Sequence, residues 1–468
     1  MSILTTLAKN TPIFLLRACI FFSVIAHAET VKPVTHEFEL LNGMKVIVRE
    51  DHRAPTVAHM VWYRAGSVDE VSGKTGVAHV LEHMMFKGTK NLAPGDFSKK
   101  VAEVGGRDNA FTSKDYTAYF QQIEKSHLEK MMALEADRMV NLQISEEEFL
   151  KEIQVVMEER RLRTDDQPHA IVHERLYAAA FENTPYRNPI IGWMTDLESM
   201  TYLDAKEWYE HWYAPNNAVL VVSGDVVPED IWRLAKKYYE PLPTKKLPIR
   251  KPQVEIPQLG LKRIEVKVPA ENADLTMAWR VPKLNPNQLD DMEPYALQVL
   301  AGVLDGHANS RMNRLLVRSK RIADAVDASY GALGRGPQLF TLSANVSKKI
   351  SPEVVETEIR NMLKDIALHG VTSAELERVK TQLMAAQIYK KDSVFGQAME
   401  IGMFEINQIS WRYVDEYMSS IQKVNSDQIK DVIKKYLKDD GLTIALLNPQ
   451  PMNLNKQKNQ SAPFKLRH

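Results

Sequence analysis

The chain has 468 residues, and its 60 basic residues balance its 60 acidic residues, so the formal net charge is zero. Such a chain lacks the basic excess that binds nucleic acid or an anionic membrane surface, and the composition therefore argues against both partners. With 44% hydrophobic residues it can bury more than one core, and its length predicts about three domain-sized units.

The N-terminus has the features of a secretory signal. Positive charge precedes an apolar run at 18–25, and residues 26–28 form an A-x-A cleavage motif. We therefore predict a signal peptide over residues 1–28 and a periplasmic or secreted mature chain, with a retained anchor or lipid attachment at Cys19 as the alternatives. Cys19 is the only cysteine, so the mature chain would contain neither a thiol nor a disulfide. Since no other stretch is apolar over the length of a membrane span, we expect no stable span after cleavage.

The run 76–86 is predicted to be a helix with one apolar stripe, formed by Val77, Val80, Leu81 and Met84. His79 and His83 are four residues apart on the opposite face, and Glu82 shares their side. This order is the inverted zinc-protease motif HxxEH. Imidazole is the commonest zinc ligand, and a carboxylate beside a zinc-bound water is the usual general base for hydrolysis. The motif thus predicts a hydrolytic Zn²⁺ site; the alternative is the ordinary polar face of an amphipathic helix.

A catalytic zinc usually has three protein ligands and a water, so the motif needs one more donor. A second helix is predicted from Ser145, which can form a capping box with Glu148. Glu152 and Glu159 in this helix are two turns apart and flank its buried stripe, so both can point inward. The residues alone leave open whether either is a ligand, because a Glu on a charged helix is most often solvated.

These motifs resemble those of the M16 metallopeptidases, the family of pitrilysin, insulysin and the mitochondrial processing peptidase. Residues 83–89 match the family's continuation after HxxEH, and residues 105–113 match its glycine-led segment before a strand. In the family the third ligand is a Glu lying 76 residues beyond the second His, a position occupied here by Glu159. The resemblance implies that His79, His83 and Glu159 bind one zinc ion.

The same resemblance implies roles for further residues. Glu152 corresponds to an acidic residue close behind the metal ligands, and Glu158 is the main alternative to Glu159 as a ligand. Substrate residues are implied at a sheet edge beside the metal, where a peptide pairs as an added strand: Asn109, Ala110 and Phe111. Without the family, an ordinary turn and strand would be the default reading of these three residues.

The second half of the family's enzymes helps to hold substrate, often through an Arg and a Tyr. Arg318 fits the position of the Arg, whereas Asp324 stands where the Tyr is expected. Either the pocket differs in this chain, or a partner subunit supplies the missing group.

Prolines crowd the basic stretch 241–260, and helices and central strands both exclude proline, so this stretch is predicted to be a linker. It separates an N-terminal catalytic domain, 35–240, from a C-terminal domain, 261–449, which a polar tail follows at 450–468. We expect the metal only in the first domain, because the second carries no HxxEH.

The two halves end alike, which indicates an internal duplication. The segments that begin at Thr201 and at Asn425 align without a gap at an offset of 224, each as a capped helix, a turn and a buried strand. Strand patterns mix with long helical patterns and predict an α+β fold; the strands are expected at 56–62, 118–123, 275–281 and 339–346. The M16 resemblance implies two homologous α/β halves, each a sheet packed with helices.

The predicted function is a zinc-dependent endopeptidase that hydrolyses peptides or small unfolded proteins, with zinc-bound water activated by Glu82. The alternative is a non-catalytic partner or scaffold subunit, since some family members have lost the metal site. The S-ribosylhomocysteine lyases also use HxxEH, but they are short and depend on a cysteine. The length of 468 residues and a mature chain without a thiol do not fit that class. Family members of this size commonly form dimers, so we expect a homodimer or a heterodimer with a homologous subunit that need not be active.

Overall fold

Two sheets organise the chain between residues 34 and 452, the part that this computed structural model describes. The predicted signal peptide, Cys19 and all but the first three residues of the predicted tail lie outside that part. The first sheet contains β1 (Thr35–Glu39), β2 (Lys45–Glu50), β3 (Thr56–Tyr63), β4 (Arg107–Thr112), β5 (Thr117–Glu124) and β6 (Ala218–Gly224). The second contains β7 (Lys262–Pro269), β8 (Asp274–Val281), β9 (Ala323–Tyr330), β10 (Gln338–Val346) and β11 (Leu442–Gln450).

The two sheets share one topology. The strand order is β1-β2-β6-β3-β5-β4 in the first sheet and β7-β11-β8-β10-β9 in the second. In each sheet the last strand of the half, β6 or β11, enters the middle, parallel to one neighbour and antiparallel to the other. Apart from β1, the strands therefore correspond one to one in chain order, which confirms two homologous α+β halves.

Helices surround both sheets. In the first half they are α1 (Val77–Met84), α2 (Asp96–Ala102), α3 (Leu128–Asn141), α4 (Glu146–Arg160), α5 (Pro168–Ala180), α6 (Met194–Ser199), α7 (Tyr202–Trp212) and α8 (Pro228–Tyr238). In the second they are α9 (Glu293–Asp305), α10 (Pro352–His369), α11 (Ser373–Lys391), α12 (Val394–Ile406), α13 (Tyr413–Lys423) and α14 (Ser426–Tyr436). None of these helices combines the length and the apolar character that a membrane span requires.

The offset of 224 holds in the structure. Helices α7 and α14 each have 11 residues, and each begins with a capping box, at Thr201 and at Asn425. Strands β6 and β11 follow at residues 218 and 442, which preserves the same offset. The four predicted strands coincide with β3, β5, β8 and β10 to within one residue at each end.

The stretch 241–260 contains neither a helix nor a strand, yet it is attached to both halves. The carboxylate of Glu255 accepts the backbone N–H of Thr184 at 2.9 Å and a guanidinium N–H of Arg280 at 3.0 Å. Arg250 donates to Asp69 in the first half at 2.8 Å. These contacts hold the connection in place along its course.

Each half contributes one helix to the sheet of the other half. Leu176 on α5 of the first half is buried in a cluster with Ala278 of the second sheet. Ile401 on α12 of the second half is buried in a cluster with Trp62 of the first sheet. Gly402 permits this close approach, because a Cβ at that position would overlap the indole ring of Trp62. The two cores are therefore completed reciprocally.

Candidate metal centre

Helix α1 carries the HxxEH motif and begins at a fixed point. The first N–H groups of a helix have no partner within it, and here the carboxylate of Glu70 accepts two of them, from Gly76 at 2.8 Å and from Ala78 at 2.9 Å. Gly76 has a φ of 89°, and a Cβ there would collide with the carbonyl of Ile191. Glycine is therefore required at that position, and the start of α1 is set just before His79.

The two imidazoles of α1 face a carboxylate of α4. The Nε2 atoms of His79 and His83 lie 3.8 Å and 3.3 Å from Oε2 of Glu159. All three residues are buried, and one ligand atom from each lies within 4.8 Å of the others. Zinc ligands at about 2.0–2.1 Å from a tetrahedral ion are roughly 3.3–3.5 Å apart, so small side-chain movements would suffice. Two imidazoles and one carboxylate are also the donor types that a catalytic zinc uses, and the residues fit the ion.

The electrostatics of this group favour a cation. Burial alone would raise the pKa of Glu159, but His83 and His79 outweigh burial and lower that pKa to about 2. Burial alone would lower the pKa of His83, but Glu152 and Glu159 outweigh it and raise that pKa to about 9. The surrounding carboxylates thus stabilise positive charge at the centre, whether it is carried by a proton or by a metal ion.

Glu82 lies beside the donors. Its half-buried carboxylate accepts a hydrogen bond from Oγ1 of Thr112, on β4, at 2.5 Å. Burial raises the pKa of Glu82 and outweighs the hydrogen bond from Thr112 and the charge of His83, which both lower it. A carboxylate beside a group of metal donors has the chemistry of a candidate general base.

A second carboxylate of α4 contacts His83 on the side of the ring away from Glu159. Oε1 of Glu152 lies 2.8 Å from Nδ1 of His83, and Oε2 lies 2.5 Å from Nζ of Lys87. Since a carboxylate of lowered pKa only accepts, Nδ1 of His83 carries the proton and Nε2 faces Glu159. Glu152 therefore lies behind the ligands, where the family resemblance implied it.

The C-terminal turn of α4 distinguishes the two candidate ligands. Glu158 is exposed and forms an ion pair with Arg161 at 3.0 Å, so the alternative ligand points away from the histidines. Glu159 is buried, and its Oε1 lies 2.5 Å from Nη1 of Arg163.

The capping box predicted at the start of α4 is half formed. The side chain of Ser145 accepts the N–H of Glu148, while the carboxylate of Glu148 is bound by Lys151.

The next residue, Arg160, joins α4 to its surroundings. Its buried guanidinium donates to both carboxylate oxygens of Glu174 on α5, at 2.8 Å and 3.1 Å. It also donates to the carbonyl of Gly192 at 2.7 Å, and Gly192 packs against Gly76 at the start of α1. This contact sets the position of Glu159 relative to the two histidines.

The predicted substrate residues fall into two places. Asn109, Ala110 and Phe111 lie in β4, the edge strand of the first sheet and the strand that also carries the hydroxyl bound to Glu82. Arg318 lies in a π-helical segment of the second half, where it is exposed and donates to Asn309 at 2.7 Å. Asp324, at the expected Tyr position, is the second residue of β9, an edge strand of the second sheet, and accepts a hydrogen bond from Ser347 at 2.5 Å. Both of these hydrogen bonds join residues of the second half.

Three residues of the site were not predicted: Thr112, Lys87 and Arg163. Arg163 and Lys87 each lie four residues beyond a predicted ligand, Glu159 or His83, so helical spacing could have indicated them. No local pattern indicates Thr112, because its contact with Glu82 depends on how the hairpin of β4 and β5 packs against α1.

The second half has an apolar counterpart of this site. Helix α9 follows β8 as α1 follows β3, and α9 contains no histidine; its residues include Leu297, Leu300 and Ala301. These three are buried in the second core. Within residues 34–452, the one group of three close donors is the one in the first half.

Comparisons with known proteins agree with this geometry. The family model of insulinase (peptidase family M16) matches residues 45–193. The family model of the peptidase M16 inactive domain matches residues 199–383. Zinc protease PqqE of Helicobacter pylori is 31% identical over 431 residues, covering 90% of this chain and 95% of that protein. The uncharacterized zinc protease YmxG of Bacillus subtilis is 26% identical over 408 residues, covering 87% and 97%. The crystal structure of a protease from Helicobacter pylori has a TM-score of 0.84 at 30% identity and covers 89% and 100%.

The paired sheets and the buried His–His–Glu group define a protein of the zinc-protease class, with the donors in its first half. The chain belongs to peptidase family M16, as its motifs predicted. The match to the inactive domain of that family runs from residue 199 into the second half, in agreement with the apolar helix that follows β8 there.

Proposed function

We propose that this chain is a zinc-dependent endopeptidase that hydrolyses peptides or small unfolded proteins. The proposal rests on the convergence of His79, His83 and Glu159 into one buried donor group with Glu82 beside it. We propose one zinc ion per chain, held by these three donors. Retention of all the donors and of the base favours an enzyme over a non-catalytic scaffold subunit.

Zinc, when bound, polarises the scissile carbonyl and lowers the pKa of a coordinated water from about 16 to about 7. Glu82 removes a proton from the attacking water and later delivers it to the leaving amine. Glu152 accepts a hydrogen bond from Nδ1–H of His83 and so holds the ring with Nε2 toward Glu159, the orientation in which Nε2 would bind zinc.

Substrate is proposed to add to the edge of the first sheet. Strand β4 presents its outer backbone groups there, and pairing with Asn109, Ala110 and Phe111 would hold an extended peptide without reading its sequence. Because this pairing requires an extended chain, peptides and unfolded segments are favoured over folded proteins. Arg318 is proposed as a contact from the second half, where its guanidinium is exposed.

The sequence supports two further parts of the proposal. Export through the signal peptide over residues 1–28 would place the enzyme in the periplasm or outside the cell, and N-terminal sequencing of the mature protein should begin at Glu29. The chain is also proposed to act as a dimer, either with itself or with a homologous subunit. A light-scattering mass of one chain at working concentration would remove the homodimer.

The decisive variant is Glu82→Gln, which keeps the shape of the side chain and removes the base. We expect zinc content near one per chain and a loss of peptide cleavage of roughly 10²-fold to 10⁴-fold. The matched control is Glu158→Gln, an exposed acid on α4, which should retain full activity. Retained zinc with undiminished turnover in Glu82→Gln would remove Glu82 from the mechanism.

A peptide library digested with and without chelator, and read by mass spectrometry, tests the activity itself. We expect internal cleavages that disappear with the chelator and return when zinc is added. Zinc-loaded wild-type protein that cleaves no peptide in the library would favour the non-catalytic partner.

A further inference from the structure

Strand β4 touches the candidate metal centre through one side chain. It is one of the two edge strands of the first sheet, and within residues 34–452 it pairs with β5 alone. Alternate residues of a strand point to opposite faces. Ala110 packs against the core that contains α1, whereas Phe111 packs against the cluster on the other face. Thr112, two residues after Ala110, therefore faces α1.

The position of Thr112 is set by the hairpin that follows it. Thr112 pairs with Thr117 in the register of β4 and β5, and the N–H of Ser113 donates to the carbonyl of Tyr116 at 2.8 Å. The hydroxyl of Thr117 donates to the carbonyl of Ala65 at 3.0 Å. These bonds leave Thr112 little freedom to move away from α1.

The hydroxyl of Thr112 donates its one hydrogen to Oε2 of Glu82 at 2.5 Å. A carboxylate whose Oε2 is held in this way presents Oε1 in a defined direction. Since a general base acts only from the correct distance and angle, the hydrogen bond would restrict Glu82 to orientations in which Oε1 can reach the attacking water.

We propose that Thr112 is a positioning residue that orients Glu82 and thereby links the substrate-binding edge strand to the base. The inference rests on the proposed function, because it concerns how that same reaction is set up. A peptide added to β4 would further restrain the strand, so that substrate binding and base alignment occur together.

The test compares Thr112→Val, Thr112→Ser and wild-type protein on one fluorogenic peptide, with kcat and KM determined separately. Valine keeps the branched shape without the hydroxyl, and serine keeps the hydroxyl. We expect kcat of Thr112→Val to fall roughly 10-fold to 100-fold, with KM and zinc content nearly unchanged. Thr112→Ser should remain within about threefold of wild type. If Thr112→Val proves unstable, Thr112→Ala replaces it in the comparison. Alanine puts no γ-methyl group against the carboxylate, and we expect the loss of kcat by roughly 10-fold to 100-fold in this variant too.

Ser98→Ala is the matched control. Ser98 on α2 donates to the carboxylate of Asp108 on β4, the strand that carries Thr112, at 2.5 Å. This variant therefore also removes a hydroxyl that donates to a carboxylate, but the carboxylate is not that of Glu82. Its kcat should equal that of wild type. The proposal is overturned if Thr112→Val keeps the wild-type kcat, if the serine and valine variants lose equally, or if the loss lies only in KM or zinc content.

A double variant separates this inference from the proposed function. If Thr112 acts only through Glu82, adding Thr112→Val to Glu82→Gln should cause no further loss of kcat. A further loss of the size seen in the single variant would overturn the positioning role. An inactive Glu82→Gln with a fully active Thr112→Val removes the positioning role alone. A fully active Glu82→Gln removes Glu82 as the base and the positioning role with it, whereas a zinc-loaded wild-type protein that cleaves no peptide removes the proposed function.

Discussion

Nδ1 of His83 and Oε1 of Glu152 lie 2.8 Å apart, so a carboxylate of α4 fixes the ring of a proposed zinc ligand on α1. Lys87 holds the other oxygen of Glu152 at 2.5 Å. The carboxylate is thereby kept charged and directed at the imidazole, since both neighbours lower its pKa against the effect of burial.

We therefore expect Glu152→Gln to weaken zinc affinity by roughly 10-fold to 100-fold. The amide can still accept a hydrogen bond, but it lacks the charge that makes the imidazole a stronger donor to the metal. Competition with a chelating dye measures the affinity. Glu147→Gln, an exposed acid on the same helix, is the control, and equal affinities in the two variants would exclude a supporting role for Glu152.

Replacement of a ligand should have a larger effect than replacement of its support. Glu159→Gln should purify without zinc at micromolar free metal, since a catalytic zinc site needs its three protein ligands. Glu158→Gln, one residue earlier and exposed, should keep its zinc. Metal analysis of both proteins decides between the two acids, and a zinc-loaded Glu159→Gln beside a zinc-free Glu158→Gln would reverse the assignment.

Because α5 packs on the second sheet and α12 on the first, we predict that the two halves depend on each other for stability. Leu176→Ala on α5 should lower the free energy of unfolding by about 2–5 kcal/mol, because the side chain is fully buried against the second sheet. Leu203→Ala, at a site that is 57% exposed, should change it by less than about 0.5 kcal/mol. Urea unfolding provides both values. A cost as small at Leu176 as at Leu203 would mean that α5 contributes little to the second core.

The ion pair of Glu375 and Arg311 predicts a dependence of stability on pH. Hydrogen bonds from Arg311 lower the pKa of Glu375 to about 2, against the effect of burial. A lowered folded-state pKa stabilises the protein above the ordinary value of 4.5, and this contribution is lost as pH falls toward about 2. The melting temperature of Glu375→Gln should therefore lie below that of wild type at pH 6–7, and the gap should narrow below about pH 4.5. A gap that stays constant down to pH 3 would contradict this origin.

Local patterns predicted the elements that local forces determine. The strand pattern at 56–62 predicted β3 to within one residue, and helical spacing placed His79 and His83 on one face of α1. The choice of Glu159 came from the family resemblance, because the residues of α4 alone did not separate a ligand from a solvated acid. Its neighbour Glu158 differs in the structure only through its direction from the helix, which carries it into solvent.

Other features depend on tertiary packing and left no local pattern. The apolar residues of α5 predict a buried face, but they do not say that this face covers the second sheet instead of the first. The contact of Thr112 with Glu82 arises only when the β4–β5 hairpin docks on α1. The prolines of the connection 241–260 predicted a linker. Its attachment through Glu255 depends on Arg280, which lies on β8 of the second half.

The most direct test of the whole account is anomalous diffraction at the zinc absorption edge from crystals of the wild-type protein. We predict one strong peak per chain, bounded by Nε2 of His79, Nε2 of His83 and Oε2 of Glu159. A fully zinc-loaded protein with no peak between these three atoms, or with its peak elsewhere on the chain, would contradict it.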